Sequence, residues 1–243
     1  MFAQGLAALL DYGLYLTPGL VLFGLWFGLA PKALTGLRIV ILLLAFVLMR
    51  DAMTPLGLWA LNSDVQIRFT ANPVMLVALG VISLMLIAAL ARLVPELWRL
   101  TVLFKGRRLE GVAVGVLAGC LIGVPLRLYQ GIEPAGALWL GAMVVLAYGA
   151  NALEEVLFRG FLQGYLEQHM SALRAAMMSS VAFAACHTFL ALSVTQLGWP
   201  ILAFTLIEGL ACALVRMRYG VVASTLTHGT AIVLIAAPMV APL

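Results

Sequence analysis

Residues 74–93 read VMLVALGVISLMLIAALARL, without a charge until Arg92. A hydrocarbon core about 30 Å thick takes roughly 20 apolar residues of helix to cross, so Val74–Leu93 is predicted to span a membrane. Outward from it, comparable runs recur at Leu6–Leu29, Leu37–Met49, Val112–Leu128, Ala137–Leu157, Met177–Leu197, Ile201–Val215 and Val221–Val240. The second is short and has room to run on past Arg50. Of 243 residues, 64% are apolar and 10% charged, against about half and a quarter in soluble domains. Mean hydropathy is +1.12. The expected fold class is all-α, a polytopic membrane helical bundle of about eight transmembrane helices. Residues 1–243 form one membrane domain whose first four spans occupy 1–130, with no room for a soluble domain.

Breaks fall at Pro31-Lys32, Asn62-Ser63-Asp64, Gly106-Arg107-Arg108, Gly131 to Pro134 and Arg218-Tyr219-Gly220. Loops after odd-numbered spans hold Lys32, Arg38, Arg92, Arg99, Lys105, Arg107, Arg108, Arg159, Arg174, Arg216 and Arg218, eleven of the 14 basic residues. Even loops hold Arg50, Arg68 and Arg127. Lys and Arg collect in cytoplasmic loops, so the odd loops are expected in the cytoplasm and both termini outside, in a plasma (inner) membrane. The same rule reads the net charge of +4 as contact with the lipid bilayer and not with nucleic acid, and Lys105-Gly106-Arg107-Arg108 as a lipid-surface patch. Pro95–Arg108 alternates apolar and charged residues and is expected to lie on the inner surface as an amphipathic helix started by Pro95. Asp51–Asn72 reads as an outer interfacial loop anchored by Trp59. Gly111, Gly115 and Gly119 form a small-xxx-small row suited to close helix contact. Cys120, Cys186 and Cys212 make no CxxC pair and read as small buried hydrophobes. The N-terminus lacks a basic leader and reads as a first span.

A charge within a span costs a few kcal/mol or more, so each one is a functional candidate. Away from the loops they are Glu154, Glu155, Arg159, His187, Glu208 and His228, all in the second half. In Asn151-Ala-Leu-Glu-Glu-Val-Leu-Phe-Arg-Gly-Phe161 the two glutamates are about 100° apart on a helix. Glu155 and Arg159 stand at i,i+4 in the favourable order for an ion pair. Glu154 lies about 140° round from Arg159 and is left to face a cavity, partly desolvated, as a general base would. The plainer alternative is that both glutamates tie helices together through arginines. Phe183 and His187 share one helical face. Residues 154 and 187 are symmetric about the polar stretch Glu167–Ser171, with Ser171 a suitable N-cap. If the fifth helix continues to about Leu166, an antiparallel hairpin brings Glu154 level with His187. In Leu226-Thr227-His228-Gly229, His228 lies about two to three turns in from the turn at Tyr219-Gly220. Glu208 sits at similar depth and pairs with His228, with Arg159 or with another cation.

Together these segments resemble the CPBP intramembrane protease family, which includes the type II CAAX-prenyl endopeptidases and bacterial proteins linked to bacteriocin processing or immunity. Its pattern is EExxxR, FxxxH and HxxxN on three helices. Glu154-Glu155-Val-Leu-Phe-Arg159 fits the first, Phe183-Ala-Ala-Cys-His187 the second, and His228 opens the third. The resemblance covers about residues 137–235, which would be the catalytic core. It implies an intramembrane glutamic-type endopeptidase with no cofactor. Glu154 and His187 would activate a water that attacks a peptide carbonyl near the cytoplasmic side, and His228 would stabilise the oxyanion. Glu155 and Arg159 would hold the helix, and Phe183 would shape the cleft. The substrate would be a peptide or membrane protein. One position departs: the family asparagine is Ile232, which has no donor. Thr230 or Asn151 is the substitute to examine. Two alternatives stand beside this reading. One is a zinc-dependent variant ligated by His187, His228 and Glu154, although the HExxH spacing is absent. The other is a non-catalytic immunity or scaffold protein that binds a peptide or partner.

Overall fold

The computed structural model describes residues 2–61, 66–131, 135–194 and 197–239. The expected breaks at Asn62-Ser63-Asp64 and at Ile132 to Pro134, and the end of the last span at Val240, lie outside the described residues. The chain is a helical membrane bundle: α1 (Phe2–Leu29), α2 (Thr35–Ala52), α3 (Pro73–Leu93), α4 (Pro95–Trp98), α5 (Arg108–Gln130), α6 (Ala137–Glu155), α7 (Gln163–Leu166), α8 (Ala172–Ala185), α9 (Trp199–Tyr219) and α10 (Val221–Ile235). Among the described residues, six helical spans are long and apolar enough to cross a membrane, and α10 is a shorter apolar helix. The short second run is also a helix, α2, which does run on past Arg50.

A π-helical segment, Val156–Leu162, joins α6 to α7, so the helix continues to Leu166 as expected. Ser171 takes the N-cap position of α8 in extended conformation, but its hydroxyl makes no capping bond. At α3 the Asn72 side chain accepts from the Val74 N–H at 3.0 Å, ahead of Pro73 in the first turn; Asn is a strong N-cap and Pro fits N1.

Helix α10 is the hub, packed on α5, α6 and α9; α6 in turn packs on α3, and α8 on α9. Between lipid-embedded helices, close packing replaces the hydrophobic drive, and glycines set the approach. The buried residues of α5 are Gly111, Gly115, Gly119 and Gly123. A Cβ on Gly119 would stand 2.5 Å from the Thr227 carbonyl oxygen, and one on Gly115 equally close, 2.5 Å, to that of Ala223. In the expected small-residue row, Gly115 and Gly119 form the α5–α10 contact and Gly111 meets Tyr219 at the end of α9.

Two expectations about connections are corrected. Helix α4 stops at Trp98 and does not continue to Arg108. Beyond it the chain feeds the start of α10, where Val221 N–H bonds the Val102 carbonyl at 2.8 Å and Val222 N–H that of Leu103 at 3.1 Å. Helix N-termini leave such donors without intrahelical partners, and here they draw the segment out of helix. Gly220, at φ +92°, permits the approach: a Cβ there would lie 2.6 Å from the Leu103 oxygen. The second correction concerns Asp51–Asn72, which is not a bare loop. It contributes β1 (Trp59–Leu61) and β2 (Ile67–Phe69), which pair antiparallel, while β2 pairs parallel with β3 (Ala236–Pro238). The bundle thus carries a small sheet. Trp59 is buried in it at 7% exposure, stacked on Phe69, and is no surface anchor.

Candidate active site

All of the sequence-selected charges converge. Glu155 is fully buried and both of its carboxylate oxygens are partnered. Arg159 Nη1 lies 3.1 Å from Oε1, the predicted i,i+4 pair, and His228 Nδ1 donates to the same oxygen at 3.0 Å. Ser224 donates to Oε2 and lies 3.0 Å from the Cys212 carbonyl. Arg159 also donates to the Gly209 carbonyl at 3.0 Å. Its guanidinium sits 4.2 Å over the Phe183 ring, whose neighbours include His187 and His228 at centroid distances of 4.7 and 5.7 Å. Phe183, expected to shape the cleft, is not among the lining residues; it is the buried plate on which both histidines and Arg159 pack.

Glu154 is different. Its Oε1 has no hydrogen-bond partner. Its neighbours stand at ion-pair range: Arg50 Nη1 at 3.7 Å from Oε1, and His228 Nε2 at 4.0 Å from Oε2. The expected alternatives for Glu208 resolve toward His228, with Oε2 3.7 Å from Nε2. Its Oε1 is buried without a partner as well. Separations of this size between buried polar groups fit a bridging water.

His187 stands where α8 breaks. Helix α8 ends at Ala185, and His187 N–H bonds back to the Ala184 carbonyl at 2.9 Å. Its Nδ1 is 2.7 Å from the Phe183 carbonyl, and its Nε2 is 2.9 Å from Arg50 Nη1. Arginine only donates and a carbonyl only accepts, so the imidazole holds its proton on Nδ1 and turns the Nε2 lone pair to Arg50. The structure brings His187 and Glu154 together through this one guanidinium nitrogen.

Arg50 is the residue that sequence reasoning misses. Its place at the end of an apolar run reads as a loop charge, yet its side chain is 14% exposed. The adjacent, buried Asp51 was the available signal: an opposite charge beside a span end marks a held pair. Asn151, one turn before Glu154, is buried, lines the cavity and leaves Nδ2 without a partner. Thr230 is engaged with the Tyr148 hydroxyl at 2.8 Å. Ile232 lines the cavity wall.

These groups form the floor of a cavity of about 710 Å³. Its upper wall includes Tyr12, Trp59, Phe69, Tyr129 and Ile201, from α1, the sheet, the end of α5 and the start of α9. The last three meet at the even-loop end, and Tyr12 reaches it through its bond to the Met49 carbonyl. None of the lining residues comes from the odd-loop connections. The lining thus lies toward the even-loop end, so with cytoplasmic odd loops it does not support the expected cleavage near the cytoplasmic side.

The zinc set expected as the alternative is not gathered as ligands, because the Arg50 guanidinium stands between His187 and Glu154. Among the described residues, ligand atoms of Glu155, Cys212 and His228 lie within 4.8 Å of one another. There the Glu155 carboxylate is already taken by Arg159, Ser224 and His228, and a cation would sit against a buried guanidinium. This donor set does not fit a divalent ion.

Fold and site together define a multi-pass integral membrane protein with a buried carboxylate–histidine centre under an apolar cavity. Residues 134–234 match the family described as type II CAAX prenyl endopeptidase, Rce1-like. That segment carries every motif residue named above, and over it the chain is similar to the CAAX-type endopeptidases. No curated protein and no solved structure matches the chain.

Proposed function

We propose that this protein is a glutamic-type intramembrane endopeptidase in which Glu154 activates water. The observation that carries the reading is the contrast in pairing: both Glu155 oxygens accept hydrogen bonds, whereas Glu154 faces the cavity with Oε1 free of them. A water between Glu154, His228 and Glu208 would give its proton to Glu154 as its oxygen attacks the peptide carbonyl. Glu154 would return that proton to the leaving amine as the C–N bond breaks. His228 Nε2 faces the reacting gap, held by Glu155 at Nδ1, and would donate to the carbonyl oxygen as charge develops there. His187 lines the same floor and would take part in orienting the water. Asn151 Nδ2 is the neutral donor available beside Glu154. The cavity walls suit an apolar peptide or a membrane-protein segment as substrate. The basic bias of the odd loops supports a plasma (inner) membrane orientation with both termini outside.

The test is cleavage of a membrane-peptide library by purified protein in lipid, wild type beside Glu154→Ala and His187→Ala. Cleavage lost in both variants supports the mechanism; cleavage that survives Glu154→Ala sinks it. The non-catalytic immunity or scaffold reading has one observation in its favour, Ile232 in the place of the family asparagine. It gains if wild type cleaves nothing while a Glu154→Ala protein still binds its partner.

A further inference from the structure

We infer that Arg50, which lies outside the family-matched segment, supplies the oxyanion donor that Ile232 cannot. This rests on the endopeptidase reading and adds a residue to it. The guanidinium is anchored on one side and presented on the other. Asp51 Oδ1 takes Nε and Nη2, each at 2.8 Å. The Cys186 carbonyl, where α8 breaks, takes Nη2 at 2.7 Å. The backbone that carries Arg50 is pinned too, with the Tyr12 hydroxyl on the Met49 carbonyl at 2.7 Å and the Trp59 indole on that of Arg50 at 3.4 Å. Nη1 is thereby directed into the cavity, between His187 Nε2 at 2.9 Å and Glu154 Oε1 at 3.7 Å. Nη1 carries two hydrogens, and His187 uses one.

The second hydrogen faces the position where a carbonyl under attack by Glu154-activated water would build negative charge. A charge-assisted donor there is stronger than a neutral amide, and it needs no reorganisation, because Asp51 and Cys186 already fix the plane. Beyond His228, neither residue of α10 near the family asparagine position supplies a second donor: Ile232 is apolar and Thr230 is held by Tyr148.

The test measures kcat and KM per folded molecule in lipid with a library of quenched fluorogenic peptides bearing an apolar segment. The proteins are wild type, Glu154→Gln, Arg50→Gln, Arg50→Lys, Ile232→Asn and Arg50→Gln/Ile232→Asn. Losing an oxyanion donor costs about 10²–10³ in rate, so Arg50→Gln should lower kcat about 100-fold with KM within roughly threefold. Arg50→Lys should recover part of that loss. Ile232→Asn should restore about tenfold in the Arg50→Gln background. Should Arg50→Gln not fold, Arg50→Lys decides, with kcat reduced about tenfold at unchanged KM. Wild-type kcat in either Arg50 variant, or a loss that neither Lys nor Ile232→Asn relieves, overturns the inference while Glu154→Gln remains inactive. Activity retained in Glu154→Gln, or none in wild type, overturns the endopeptidase reading and this inference with it.

Discussion

Glu154 and Glu155 are neighbours on one helix and face different surroundings. Around Glu155, three helices close a buried cluster of Arg159, Ser224, His228 and the Phe183 ring, with both carboxylate oxygens partnered. Around Glu154, the walls stand back to 3.7–4.0 Å and a cavity opens above. The first region spends its buried charges on holding helices; the second leaves one carboxylate available for chemistry. Adjacent identical residues part company because the 100° step of a helix turns one toward α10 and Arg159, and the other toward α2 and the cavity.

Substitution should split the two. Glu155→Ala is expected to act first on folding: breaking a buried pair leaves Arg159 uncompensated at a cost of about 3–5 kcal/mol, read as a collapsed melting temperature in detergent. Glu154→Gln should do the reverse, leaving the melting temperature near wild type while peptide cleavage falls about 10³-fold or more, toward the upper range for a lost general base. Equal thermal losses in the two variants would erase the distinction between the regions. Gly119→Val tests the α5–α10 seam that positions His228. With carbonyl and side-chain atoms 2.5 and 2.6 Å from the added Cβ, overpacking should cost about 1–3 kcal/mol and lower cleavage through misplacement of His228. Ser224→Ala removes a single charged hydrogen bond and should cost about 1.5–3 kcal/mol, visible in melting temperature with little change in KM.

The smallest effect lies outside the membrane. Arg38 donates to Glu96 and holds its carboxyl below the usual carboxylate range. A depressed folded value gives stability that is present above the unfolded value and lost as pH falls through the folded one. Glu96 is 36% exposed, so screening keeps the contribution slight. Glu96→Gln should flatten the acid side of a melting-temperature profile below about pH 5.

Much of this site is legible in the sequence because buried charge is rare in spans. Glu154, Glu155, Arg159, His187, Glu208 and His228 stand out against apolar neighbours, and i,i+4 geometry separates the two glutamates before any coordinates. Arg50 is not legible, since a cation at a span end looks the same whether it meets lipid headgroups or turns inward to His187. The strands escape notice because Ile67-Arg68-Phe69 and Ala236-Ala237-Pro238 are too short to show alternation; their pairing is set by the helices that deliver them. Helix was expected across Pro95–Arg108 on local pattern, and tertiary demand from the α10 N-terminus overrode it after Trp98. The direction of the cavity is likewise a property of how spans lean on one another, which no single span encodes.

The central placement of α10 has a consequence for biosynthesis. It brings His228 and Ser224 to carboxylates on α6, seats its backbone in the glycine row of α5 and takes its first two backbone acceptors from Val102 and Leu103. Every other helix that bears on the site precedes it in the chain. A nascent polypeptide that has inserted all of those helices still has Glu155 without two of its three partners. A chain truncated before α10 holds Glu155 with Arg159 alone and is expected to cleave nothing.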